Sequence, residues 1–99
     1  MEYQLVIEFT GDSPENFQRV AELEEKLDEQ LNSGEVDGND VGLGIINVFI
    51  IAEHPDICFA EAMGIISGTT PSGAGYKPLE GEDYVRLSPA GDKTPFELR

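Results

Sequence analysis

Basic residues are scarce in this chain: 6 Lys and Arg stand against 20 Asp and Glu in 99 residues, a formal net charge of −14. Phosphate backbones and anionic lipid surfaces are repelled by such a charge within a Debye length, which excludes direct nucleic-acid binding and membrane-surface binding as expected functions. Cysteine and histidine occur once each, as Cys58 and His54. No intrachain disulfide can form, and two ligands do not make a zinc site, so we expect no metal and no cofactor. Long apolar runs are also missing. The longest is Ile45 to Ala52, interrupted by Asn47, against the about 20 residues that a membrane-spanning helix needs. The opening Met1-Glu2-Tyr3-Gln4 has neither a basic nor an apolar leader region, and a cytoplasmic address is the expectation.

Catalytic patterns are absent in the same way. Gly68 and Gly73 have the spacing of the outer glycines of a phosphate loop, but Ala74-Gly75 stands where Lys-Ser or Lys-Thr is required. Asp37, Asn39 and Asp40 supply hard oxygen donors, yet a calcium-loop alignment starting at Asp37 puts Val48 where the bidentate glutamate belongs. A turn that satisfies its own backbone is the default for them. His54 and Cys58 lie four residues apart without a third, orienting group, so a helix-cap histidine and a small buried cysteine account for them better than a nucleophile does. We name no catalytic residue.

What is present is a core plan for one domain spanning residues 1–99. Tyr3 to Phe9 alternates apolar and polar residues as a strand. Ser13 and Pro14 start a helix in which Phe17, Val20, Ala21, Leu23, Leu27 and Leu31 form the inward stripe, running to about Asn32 with Gly34 closing it. Glu35 to Val41 reads as an edge strand with a bulge near Asp37-Gly38, and Gly42-Leu43-Gly44 turns the chain into a central strand, Ile45 to Ala52. An alternative makes Asp-Gly-Asn a tight turn of its own. Pro55 opens a second helix ending around Ile66, with Phe59, Ala62, Met63 and Ile66 inward. Residues 67–78 read as a surface loop, residues 84–88 as a further strand, and residues 95–98 as a candidate extra edge strand at the C-terminus. The order is that of an α+β, ferredoxin-like β-α-β-β-α-β two-layer sandwich. Its predicted interior is Leu5, Ile7, Phe9, Phe17, Val20, Leu27, Leu31, Val48, Ile50, Phe59, Met63 and Ile66.

The hairpin carries a resemblance. Asp37-Gly38, three residues, Gly42-Leu43-Gly44, then Asn47-Val48-Phe49-Ile50-Ile51 and a proline-started helix containing Phe59 resemble a group of small uncharacterised bacterial α+β proteins, mainly over residues 35–66. The chain departs from that group at Ile45, where an acidic residue often follows the second glycine, and at His54, where a capping Asp is usual. The resemblance implies a fold and no activity.

For function, the pattern points to a non-enzymatic, acidic interaction or ligand-binding domain, such as an immunity-type or regulatory partner of a basic protein. The alternative is a small-molecule sensor or small enzyme using carboxylates near the 37–53 hairpin, among them Asp37, Asp40 and Glu53. If Val48 and Ile50 face the core, Ile45, Asn47, Phe49 and Ile51 face the other side of a sheet that has no helix over it, beside Val6. That patch calls for a cover: a second subunit, a protein partner or ligand, or the segment around Phe96 and Leu98. A homodimer is the expected cover, and the expected binding residues are Asp37, Asn39, Asp40, Asn47, Phe49 and Ile51.

Overall fold

The computed structural model describes residues 1–98. Alternation in the first strand produces β1 (Tyr3–Thr10), and Ser13 ends the following loop as an N-cap whose Oγ accepts the Asn16 N–H at 3.2 Å. Pro14 takes the first position of α1 (Pro14–Gln30), where a missing N–H leaves nothing unpaired. The helix stops at Leu31, which turns to extended backbone with φ −73° and ψ 126°. No left-handed glycine closes it. The α1–β2 connection is held instead by Glu61, whose carboxylate accepts the Asn32 and Ser33 N–H groups at 3.0 and 2.9 Å and the Ser33 hydroxyl at 2.6 Å. The Ser33 side-chain hydrogen bond is the main reason the Glu61 carboxyl is held below its usual range.

β2 (Glu35–Gly42) and β3 (Ile45–Ala52) follow as a hairpin. The register slips between Val36 and Gly38, and Gly38 has φ +128°, so Asp37-Gly38 is a bulge within the strand and not a turn. The hairpin turn itself has Leu43 at φ 55° and Gly44 at φ 76°, the left-handed pair of a two-residue type I′ turn. Gly42, read from the sequence as part of the turn, ends β2 and is not at positive φ. The turn is tied to the β1–α1 loop, where Gly11 N–H donates to Gly44 O at 2.6 Å and Gly44 N–H to Asp12 at 3.2 Å.

α2 (Pro55–Ile65) again starts on proline and is capped at Ile66. β4 (Gly73–Pro78) and β5 (Val85–Ser88) complete a five-stranded open sheet in the order β2-β3-β1-β4-β5, with every neighbouring pair antiparallel. The strands of this α+β chain differ from the sequence reading most at two places. Residues 73–78 form a strand because β1, completely buried at Leu5, Val6 and Ile7, has a free edge beside β3 that only a distant segment can pair. Residues 95–98 form no edge strand, because the Thr94 and Pro95 carbonyls are taken by the Arg86 guanidinium at 2.7 and 3.2 Å.

Both helices cover one face of the sheet. Leu5, Ile7 and Phe9 of β1 and Ile46, Val48, Ile50 and Ala52 of β3 pack there with Val20, Leu27, Cys58, Ala62 and Ile66, while Leu31, Phe59 and Met63 lean on this core half-buried. Phe17 was expected inside and is 43% exposed. It shares its side of α1 with Glu24, seven residues on, whose carboxylate accepts from Asn39 of the edge strand at 2.9 Å; beyond β2 there is no strand to cover it. No described helix is long and apolar enough to cross a membrane.

Candidate functional site: the helix-free sheet face

Period-two geometry puts Ile45, Asn47, Phe49 and Ile51 of β3 on the face opposite the helices. Cross-strand register builds rows around them. One row runs Asp40, Asn47, Glu8, Gly73 across β2, β3, β1 and β4; the next runs Gly38, Phe49, Val6, Gly75, Arg86 and reaches β5. Four of the six expected binding residues, Asp40, Asn47, Phe49 and Ile51, therefore share this face. Asn39 points to the helix side, bonded to Glu24. Asp37 is the bulged residue, exposed and without a partner in the register.

The β4 half of the face is closed from within the chain. Gly73 and Gly75 carry no side chains; the space over Gly75 receives Phe96, which is 4% exposed, and Arg86 Nη1 and Glu8 Oε1 border the space over Gly73. A Cβ on Gly75 would stand 2.6 Å from Phe96 Cγ. Tyr84 packs edge-on against the Phe96 ring at 5.5 Å between centroids, and the Arg86 guanidinium lies 5.4 Å from it. Tyr84 O–H in turn donates to Gln4 Oε1 at 2.7 Å, and burial pushes its phenol up from the ordinary range. Asp92 accepts the Thr94 N–H at 2.8 Å, a bond that also holds its carboxyl low. The segment around Phe96 and Leu98 was one of the three expected covers of this face, and Phe96 covers part of it while Leu98 stays exposed; where Phe96 seats had a signal only in Gly73 and Gly75, two residues apart on one strand face.

The β3 half is only partly open. Of the expected patch, Ile45 and Val6 are buried, whereas Phe49 and Ile51 remain half-buried, with Asp40, Glu8 and Glu35 facing the same way across the register. Asn47 is 1% exposed, and its Oδ1 has no hydrogen-bond partner among the described residues. Beyond Ile51 the strip opens into a shallow depression of about 330 Å³ lined by Glu2, Glu35, Glu53, His54 and Ile57.

The geometry does not bring Asp40 and Glu53 of the expected carboxylate set together. Glu53 lies six residues beyond Asn47 in the β3 direction, about 20 Å at strand rise, so it cannot act with Asp40 on one small molecule. His54 is exposed while Cys58 is fully buried. Burial is the largest influence on the Cys58 thiol and raises it, Ser33 opposing and the Glu61 charge adding to the rise; the thiolate a nucleophile requires is disfavoured. No group of three or more His, Cys, Asp or Glu that could hold a metal occurs among the described residues. No protein-family model, curated protein or solved structure matches the chain.

Proposed function

We propose that this is a non-catalytic docking domain that receives a segment of a basic protein on its helix-free sheet face. The observation that carries the reading is the strip of half-buried Phe49 and Ile51 edged by Asp40, Glu8 and Glu35. An apolar strip supplies contact area, and the carboxylates along it, on a chain of charge −14, attract and orient a cationic partner. The strand order β2-β3-β1-β4, with both helices on one face, supports a ferredoxin-like framework to which β5 adds an edge. A buried unpaired cysteine supports a reducing, cytoplasmic setting.

A second copy of the chain suits the strip less well. Phe96 already covers part of the apolar face that called for a dimer, and an isologous contact would bring Asp40, Glu8 and Glu35 of two strongly acidic chains together. Light scattering on wild type and Phe49→Lys measures this directly, and a wild-type dimer broken by the substitution would reverse the choice.

The reading is tested by selecting binders from a displayed random-peptide library on the immobilised protein. Enriched peptides should combine Lys or Arg with apolar residues, weaken as salt rises, and fail to bind Phe49→Lys. Enrichment without basic residues, or binding untouched by Phe49→Lys, would refute it.

A further inference from the structure

The Asp40–Asn47–Glu8 row narrows the partner chemistry further. Register places the three residues side by side on β2, β3 and β1, all on the helix-free face, with Asn47 in the middle. Asn47 is the one buried polar side chain of the described residues, and its Oδ1 is buried without a donor. Neither neighbour can supply one, since an ionised carboxylate only accepts. Glu8 takes a hydrogen bond from Ser72 Oγ at 3.2 Å. The one arginine of this face, Arg86, gives three of its five N–H groups to the carbonyls of Ser88, Thr94 and Pro95, and none of them bonds to Asn47. Three acceptors thus lie in a line, Glu8 with one donor in Ser72 and the buried oxygen at the centre with none.

We propose that this row is a receptor for a guanidinium group, an arginine side chain of the basic partner. The inference rests on the docking reading above and deepens it. The separation of the outer residues favours a guanidinium over a metal ion. Two strand spacings separate β2 from β1, about 9.6 Å, whereas a hard cation holds its oxygens at about 2.0 to 2.6 Å and would have to draw both carboxylates inward across the sheet. A planar fork with five donors makes hydrogen bonds of about 2.8 Å on opposite edges and spans more of that width while an inner N–H meets Asn47 Oδ1. Asp40 is exposed and Glu8 half-buried, so rotation of these two side chains opens the way to the amide between them. Phe49, two residues along the same strand face, offers its ring to the arginine stem.

The receptor also explains why a polar residue interrupts the β3 apolar run. A buried oxygen without a partner destabilises the free protein and is relieved by the ligand, so Asn47→Leu should raise the urea midpoint while abolishing binding. A variant that is more stable and yet does not bind cannot be dismissed as misfolded.

The test is a titration of the ¹⁵N-labelled full chain with N-acetyl-arginine amide, following the backbone amide resonances of Glu8, Asp40 and Phe49 in every variant and the Asn47 side-chain NH₂ resonances wherever Asn47 is retained, with magnesium and calcium chloride in parallel. Saturable shifts are expected with the arginine compound, weakened about tenfold by Asp40→Asn and absent in Asn47→Leu. Shifts caused by the divalent ions instead, no response to any of them, or an equal arginine response in Asn47→Leu would each overturn the proposal. If the arginine compound fails while selected basic peptides still bind and are lost on Phe49→Lys, the guanidinium receptor falls and the docking face stands; if both fail, both fall.

Discussion

Gly75→Ala should unseat the C-terminal segment, and the size of the effect follows from the packing around one ring. The added methyl would lie 2.6 and 2.7 Å from Phe96 Cγ and Cδ2 and 3.0 Å from the Val85 carbonyl oxygen. Backbone on one side and a ring on the other leave Phe96 as the part that moves. Releasing it loses about 1.5 to 3 kcal/mol of apolar burial, with about 0.5 to 1.5 kcal/mol from the Tyr84 edge contact. Against this, the freed residues regain backbone entropy of about 1 kcal/mol each. Gly75 is not at positive φ, so alanine also restricts the unfolded chain usefully by about 0.4 to 1 kcal/mol. We expect a net destabilisation of about 1 to 3 kcal/mol for Gly75→Ala, no larger than that of Phe96→Ala, since releasing the segment is the most the clash can do. Urea unfolding of wild type, both single variants and the double variant forms the assay. Once Phe96 is alanine the ring clash is gone and only the 3.0 Å approach to the Val85 carbonyl oxygen remains, so Gly75→Ala should cost much less in that background, giving a coupling of about 1 to 3 kcal/mol. Additive single effects would show that Phe96 does not occupy the space over Gly75 and would refute the account of how half the face is covered.

Three other outcomes follow from named contacts. Glu61 has a folded pKa below its unfolded value, so its bonds to Ser33 and Asn32 contribute stability that is present above the unfolded pKa and lost as pH falls through the folded one; melting curves from pH 7 down to pH 3 should drop more steeply for wild type than for Glu61→Gln. Leu43 holds a left-handed backbone at 87% exposure, where it gains nothing from burial, so Leu43→Asn should raise stability by about 0.5 to 1.5 kcal/mol in urea unfolding, and no gain would mean that the leucine packs against something. Ile50 is completely buried in the core between sheet and helices, and Ile50→Ala should cost about 2 to 5 kcal/mol in the same assay; a loss under 1 kcal/mol would contradict its place there.

The periodicity of single segments was enough to locate β1, both helices and the β2–β3 hairpin. These elements are specified locally, by alternation in Tyr3 to Phe9, by Ser13-Pro14 and Pro55 at helix starts, and by the turn at Leu43-Gly44. The facing of β3 was legible for the same reason, since fixing Val48 and Ile50 inward sends Asn47, Phe49 and Ile51 outward. β4 was not legible. Gly73-Ala74-Gly75 has little strand preference of its own and pairs only because β1, about seventy residues earlier, presents a free edge. Phe96 likewise has no local signal: its burial depends on the bare backbone of Gly75 on another strand. The candidate site divides along the same line. Asn47 and Phe49 stand out within their own strand, but the carboxylate neighbours of Asn47 come from β1 and β2, and Asn39 is removed from the face by Glu24 of α1. Which residues share a row is set by register between strands, and register is a long-range property that only the folded sheet decides.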